Sequence, residues 1–301
     1  MKTITVFTPT YNRAYILPQL YESLKRQTSQ DFCWLIVDDG STDNTKEIVD
    51  GWIREAIVDI RYYYQENGGK MRAHNYGVSL CDTELFLCCD SDDYLTDDAV
   101  GLINSLWLGA ESKESLSGVI GPKCVYFHNK KLDSIIPKNA IVMTYNEFSN
   151  VYGKVKETFL AYRTDIIRQF PFPVQEGEKF IPEGFIYSQI DRSYKMIVLS
   201  KEIMICEYLA DGYTNNGVIT FVQNPKGMRL VKNAYIRQLR FDKQYLINGI
   251  DYVAASLFEG RTAVNIISES NKKLVTIMVL PFGYMRFYLL KRRYTKLLGS
   301  I

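Results

Sequence analysis

Four short apolar runs constrain this chain more than any other feature. Thr3–Thr8, Cys33–Asp38, Ile60–Tyr64 and Glu84–Cys89 are rich in β-branched, aromatic and other apolar residues, the composition of strands buried in a sheet. Between them the apolar positions move to a helical period. Leu17, Leu20, Tyr21 and Leu24 fall at i, i+3, i+4 and i+7, and Val49, Trp52, Ile53 and Ala56 repeat the spacing. Pro18 is tolerated in the first turn of such a helix. Further helices are predicted over Met71–Leu80 and Thr96–Leu108. The strand–helix alternation predicts an α/β fold with a mostly parallel sheet and helices on both faces. Ligands of such sheets bind beyond the C-terminal ends of the strands. A polar cluster follows each run: Thr8–Arg13, Asp38–Asp43, Asn67–Lys70 and Asp90–Asp93.

The second half is more mixed. Val119–Phe127 and Ser134–Met143 are predicted strands, and Tyr194–Glu207 contains a β-rich run. Residues 226–260 are predicted helical, with Val231, Tyr235 and Leu239 on one face. The 301 residues suit a domain over 1–215, with a nucleotide-binding half (1–110) and an acceptor half (111–215). A helical C-terminal extension with a basic amphipathic tail is expected over 216–301. At 47% hydrophobic and 23% charged residues, an intrinsically disordered binder is excluded. None of the six cysteines forms a CxxC pair, which fits reduced cytoplasmic thiols better than a disulfide framework or zinc site. Met1–Val6 has no signal-peptide pattern and is expected to lead straight into the first core strand.

The polar clusters carry the chemistry. Asp90, Asp92 and Asp93 are three carboxylates within four residues, which repel one another unless a cation or basic partners neutralise them. A hard divalent ion, Mn²⁺ or Mg²⁺, takes oxygen ligands and suits a diphosphate. The alternative is a solvated turn with helix-capping Asp residues. Asp38–Ser41 also places carboxylates at a strand end, where Asp can accept from a ribose hydroxyl or base N–H. Asp39 is the expected ligand group and Asp43 the expected helix cap. Tyr11 can stack on a nucleobase, and Lys70 or Arg72 can meet phosphate oxygens. The only histidines, His74 and His128, exclude a His-rich metal site. Glu176, Glu178 and Glu183 are candidates for a general base, against the alternative of a solvated loop.

These clusters together resemble the family 2 glycosyltransferases, which have the GT-A fold. The resemblance rests on Thr8-Pro9-Thr10-Tyr11-Asn12-Arg13, Val37-Asp38-Asp39-Gly40-Ser41-Thr42-Asp43, Ala73-His74-Asn75-Tyr76-Gly77 and Asp90-Ser91-Asp92-Asp93. It is strong over about the first 110 residues and weak to about residue 215. It implies that Thr8, Tyr11 and Asp39 contact the nucleoside of a nucleotide-sugar donor, with Pro9 and Asp38 also at the donor site. Lys70, Arg72, Asp90 and Ser91 would serve its diphosphate. Asp90 and Asp92 resemble the family's DxD pair and would hold a metal ion. Asp211 stands where many members place a metal-binding His. Glu183, in Pro182-Glu183, stands at the base position. The implied reaction is inverting transfer of a sugar, with a UDP-sugar as the expected donor, to a lipid-linked or growing glycan. A catalytically inactive nucleotide- or glycan-binding protein of the same fold is the alternative. A nucleotidyltransferase would normally show a Gly-rich loop after the first strand, and Thr8–Arg13 has none. No nucleic-acid partner is expected.

Charge is unevenly placed. Residues 270–301 hold seven Lys and Arg and no acid, while the whole chain is +2, leaving −5 on the preceding residues. An apolar stretch from Leu274 to Met285, followed by Arg286 and Lys291-Arg292-Arg293, suits an anionic membrane surface. The expected location is cytoplasmic and peripheral on the inner face of the cell membrane. The alternative is a helix packed on the core with exposed basic residues.

Overall fold

The computed structural model describes residues 2–127, 130–132, 141–151, 157–207, 217–238 and 243–299. Its first half runs β1 (Ile4–Thr10), α1 (Leu17–Lys25), β2 (Phe32–Asp38), α2 (Thr45–Glu55), β3 (Ile60–Tyr64), α3 (Lys70–Leu80), β4 (Leu85–Cys88), β5 (Asp93–Leu95) and α4 (Ala99–Leu108). There follow β6 (Leu116–Pro122), β7 (Cys124–Phe127), β8 (Lys130–Lys131), β9 (Val142–Met143), α5 (Tyr145–Val151), β10 (Thr158–Arg163), α6 (Thr164–Ile167), α7 (Gly184–Ile190), β11 (Lys195–Val198) and β12 (Met204–Glu207). The chain ends in α8 (Gly217–Gln223), α9 (Pro225–Gln238), α10 (Lys243–Phe258), α11 (Ala263–Glu269) and α12 (Lys273–Leu298). Two compact units result: Met1–Phe172 with Ile186–Leu209, and Pro173–Phe185 with Ala210–Ile301.

The first unit is built on a sheet of order β3-β2-β1-β4-β10-β6-β11-β9. The first four strands in that order are parallel, as the alternating pattern predicts. β10 runs antiparallel to β4 and β6, and β9 is an antiparallel edge. Side chains alternate between the faces with the strand period. Ile4, Val6, Trp34, Leu85 and Leu87 pack with Leu17, Leu20 and Leu24 of α1, Trp52 of α2, and Ile103 and Trp107 of α4. On the other face Phe7 stacks on Phe86 at 4.9 Å and meets His74 of α3 edge-on at 5.8 Å. There α3 lies so close that a Cβ on Gly77 would stand 2.2 Å from the Phe7 ring. Close packing, not helix propensity, thus selects glycine in the middle of this helix.

A second sheet has the order β5-β12-β7-β8. The predicted single strand Val119–Phe127 is therefore two strands in two sheets, broken at Lys123. Pro122 has no N–H to extend the ladder, and the Lys123 side chain is buried against Asp93 at 2.6 Å. The acidic run also leads into an unpredicted strand, since β5 pairs antiparallel with β12 (Asp93 opposite Cys206). That partner is far along the chain, so no local periodicity announces it. Of the predicted strand Ser134–Met143, Val142–Met143 form β9, and residues 133–140 lie outside the described residues.

In the second unit α10 packs against α9 and α12. Ile236, Tyr245, Tyr252, Val253, Ile266 and Val279 form one cluster. Val231 is fully buried as predicted, Tyr235 is half-buried, and Leu239 lies outside the described residues. Asp251, buried on α10, pairs with Lys232 of α9 at 3.1 Å and Arg286 of α12 at 3.2 Å.

Two glycines make the packing argument testable. Gly77→Ala drives a methyl into Phe7 and should cost about 1–3 kcal/mol. Gly51→Ala, mid-helix in α2 with nothing within 4 Å of the added Cβ, should gain about 0.5–1 kcal/mol. Thermal melts of the two variants should move in opposite directions.

Candidate active site

The loops after β1, β2, β3 and β4 are joined to one another in sequence. Asn12 begins the chain of links with φ 51°, a left-handed conformation that Asn tolerates. Its amide N–H donates to Ser41 Oγ at 2.8 Å, and its Oδ1 accepts from Thr42 N–H at 2.7 Å. Asp43 strengthens this join. It accepts from Ala14 N–H at 3.1 Å, and from the N–H and hydroxyl of Thr45, the first residue of α2, at 3.1 and 2.6 Å. The N-cap of α2 is Asn44, not Asp43 as expected; Asp43, one residue earlier, bonds the first residue of the helix and ties it to the first loop.

Asp39 joins the second loop to the third. One carboxylate oxygen accepts from Gln65 Nε2 at 2.6 Å and Gly68 N–H at 2.9 Å. The other accepts from Gly69 N–H at 2.8 Å and Asn67 Nδ2 at 3.2 Å. A carboxylate offers about four lone-pair sites, so Asp39 is saturated, and it is only 4% exposed. With these four donors its side chain holds the loop after β3 to the end of β2. Asp38 is also buried, accepting from Ser41 N–H at 2.7 Å and Tyr62 hydroxyl at 2.6 Å. Gly40, directly after Asp39, needs its φ of 88°, and a Cβ there would lie 2.8 Å from Asn67 N.

Lys70, the first residue of α3, joins the third loop to the fourth. Its ammonium lies 2.8 and 2.9 Å from the two oxygens of Asp90. The acidic run forms a tight turn, in which Asp93 N–H donates to Asp90 carbonyl at 3.0 Å. Its carboxylates have separate environments. Burial alone would raise the Asp90 carboxyl, but the Lys70 and Lys123 ammoniums outweigh it and hold Asp90 below the ordinary carboxylate range. Asp93 is paired with buried Lys123. Asp92 is pushed up to about 6, first by burial and then by the charges of Asp90 and Asp93.

Among the other expected donor contacts, Tyr11 is 48% exposed at the rim, Pro9 and Arg72 are half-buried, and Ser91 is buried inside the acidic turn. The Thr8 side chain is fully buried in the sheet, and its hydroxyl accepts from the Trp34 indole at 3.0 Å. His74 is an aromatic core residue, edge-on to Phe7, Phe86 and Phe172. Glu183 is half-buried in the second unit. Glu178 is spent in that unit on the first turn of α9, accepting from Lys226 and Gly227 N–H at 2.7 and 2.8 Å. Glu176 is exposed. Asp211 and His128 lie outside the described residues. Lys123 was absent from the predicted site; its only sequence signal is a lone Lys inside an apolar β-run.

Residues 5–107 match the family model described as Glycosyl transferase family 2. This segment belongs to that family. The chain is 25% identical to the teichoic acid poly(glycerol phosphate) polymerase of Staphylococcus epidermidis, over 91% of this chain and 41% of the polymerase. It is 34% identical to glycosyltransferase GlyG of Streptococcus pneumoniae, over 37% of this chain and 36% of GlyG. The chain thus spans less than half the length of either relative. Among solved structures, S. aureus TarS 1–349 in complex with UDP-GlcNAc superposes with a TM-score of 0.62 at 17% identity, covering 98% of this chain and 92% of that one. A Pyrobaculum calidifontis mannosyltransferase in complex with GDP-Man and Mn²⁺ gives 0.54 at 15% identity, covering 97% and 83%. The fold is GT-A, with the large, mostly parallel sheet and the C-terminal helix described above.

The acidic turn suits a metal ion on its own chemistry. Asp90 and Asp92 supply hard oxygen donors, and burial together with the neighbouring Asp90 and Asp93 charges raises the Asp92 carboxyl, a cost that a bound cation would relieve. Among the described residues no group of three or more potential ligands is assembled, and Asp211 is outside them. Asp90 and Asp92 therefore fit as part of a ligand set.

Two outcomes follow from these carboxylates. Asp39→Ala leaves the buried Gly69 N–H and its neighbours without an acceptor and should cost about 3 kcal/mol or more, read by urea denaturation. Asp92→Asn should do the reverse in metal-free buffer. The folded Asp92 carboxyl, at about 6, lies above its unfolded value, so its ionisation removes stability as pH rises from about 4, completely above about 6. Asp92→Asn should therefore be more stable by about 1–2 kcal/mol at pH 8, after discounting for partial exposure, with the gain vanishing below about pH 4.

Proposed function

We propose that this chain is an inverting glycosyltransferase that moves a sugar from a nucleotide sugar, a UDP-sugar by preference, to a glycan or lipid-linked acceptor. The observation that carries the reading is the DxD turn of a family 2 domain, clamped by Lys70 at the C-terminal end of β4. TarS, solved with UDP-GlcNAc, has the same fold, which favours a uridine nucleotide. Tyr11 would stack on the base, and the Asp39-built loop would set the shape of the nucleoside pocket. Lys70 and Arg72 would neutralise diphosphate oxygens. Asp90 and Asp92, with Asp211, would hold Mn²⁺ or Mg²⁺, which when bound supplies Lewis-acid stabilisation of the departing nucleoside diphosphate. Glu183 would take the proton from the acceptor hydroxyl as that oxygen displaces the nucleotide. One base suffices for such a single displacement, in contrast to the carboxylate pair of glycoside hydrolysis. A lipid-linked acceptor would bring the enzyme to the cytoplasmic face of a membrane.

A panel of nucleotide sugars with Mn²⁺ tests this. The protein should release UDP from one of them, and Asp90→Ala should abolish the release. Glu183→Gln should lower transfer at least about a hundredfold while leaving UDP binding intact. Tight nucleotide binding without turnover under any acceptor would instead support the catalytically inactive reading.

A further inference from the structure

The outward face of α12 is a continuous apolar stripe. From Leu274 to Leu289 every exposed residue is apolar or aromatic, including Leu274, Met278, Phe282, Met285, Tyr288 and Leu289. They recur at helical spacing over about 24 Å. Arg286, the one charged residue in the stretch, is drawn to buried Asp251. The opposite face is protein-facing: Thr276, Val279, Gly283 and Leu290 are buried, and a Cβ on Gly283 would lie 2.3 Å from Val253 of α10. Exposed cations stand at both ends of the stripe, Lys272 and Lys273 at one and Lys291, Arg292, Arg293 and Lys296 at the other.

We infer that α12 lies flat in the interface of an anionic bilayer, with the stripe among the acyl chains and the terminal Lys and Arg on lipid phosphates. An apolar stripe this long is more than scattered surface hydrophobes. The helix is long enough to cross a membrane, and an 18-residue window of it has a mean hydropathy of 1.3. Crossing would, however, carry the Lys232–Asp251–Arg286 cluster packed on its inner face toward hydrocarbon, which is strongly unfavourable. Lying flat keeps that face on protein. Self-association is disfavoured by the charges. A second copy placed parallel sets Lys291–Lys296 against the same cations, and placed antiparallel sets them against Lys272 and Lys273. An anionic lipid surface complements both ends at once.

The inference does not depend on the transferase chemistry, because binding is read without donor or acceptor. The full chain is sedimented with vesicles of phosphatidylcholine alone or with about one-third phosphatidylglycerol. Binding to the anionic vesicles only is expected. Phe282→Asp with Met285→Asp, on the exposed face, should weaken it at least about tenfold. Arg292→Glu with Lys296→Glu should abolish the preference for anionic lipid. Circular dichroism and an unchanged melting temperature verify that both variants fold. Wild-type protein left in the supernatant, or undiminished binding by the double-Asp variant, overturns the inference. So does a dimer in sedimentation velocity that the double-Asp variant dissociates.

Discussion

The candidate site depends on one saturated carboxylate. Asp39 gathers four donors from the loop after β3 and thereby fixes that loop to the end of β2. On one side, Asn12 ties the loop after β1 to the same turn. On the other, α3 starts at Lys70, directly after Gly69, and Lys70 reaches Asp90. Four loops that are free ends of a sheet become one piece through three links. A site on loops is ordinarily mobile; here buried Asp39 and the more exposed Asn12 and Lys70 links tie the loops together. The exposed groups of the rim, Tyr11 above all, stand on this frame.

The acidic turn is a region of managed conflict. Three carboxylates are crowded together while two lysines serve two of them, Lys70 at Asp90 and Lys123 at Asp93. Burial and mutual repulsion still raise the Asp92 and Asp93 carboxyls. Sites selected for binding charge commonly hold groups that an isolated fold would shed. The folded state tolerates this turn because the surrounding core is large: the cluster beneath it contains Trp34, Trp52 and Trp107.

Much of this was legible in the sequence, for identifiable reasons. Three of the four parallel strands, β1, β2 and β4, are almost wholly buried, so their apolar runs stand out, and the polar clusters mark where they end. The order of elements in the first half, β5 apart, follows directly. What was hidden depends on long-range pairing. The run Val119–Phe127 reads as one strand because nothing local says that Lys123 turns inward to Asp93. β5 is invisible because β12 is its partner. Thr8 and Asp39 show another limit. A motif locates a polar residue at a strand end, but alternation turns Thr8 into the core, and the donors that saturate Asp39 come from a later loop. Family likeness names positions; only the hydrogen-bond partners distinguish a residue that touches a ligand from one that shapes the place where a ligand sits.

The pairing of β5 with β12 also orders events in time. Asp93 follows the DxD pair directly, yet its strand is completed by Met204–Glu207, and its counter-ion Lys123 arrives only with β6 and β7. Contacts so distant along a chain form late, and on a ribosome the N-terminal part emerges first. A nascent chain exposes its three clustered carboxylates well before it can hold them in place. The acidic turn is thus among the last parts of its unit to mature, although the sequence that encodes it is among the first to be made.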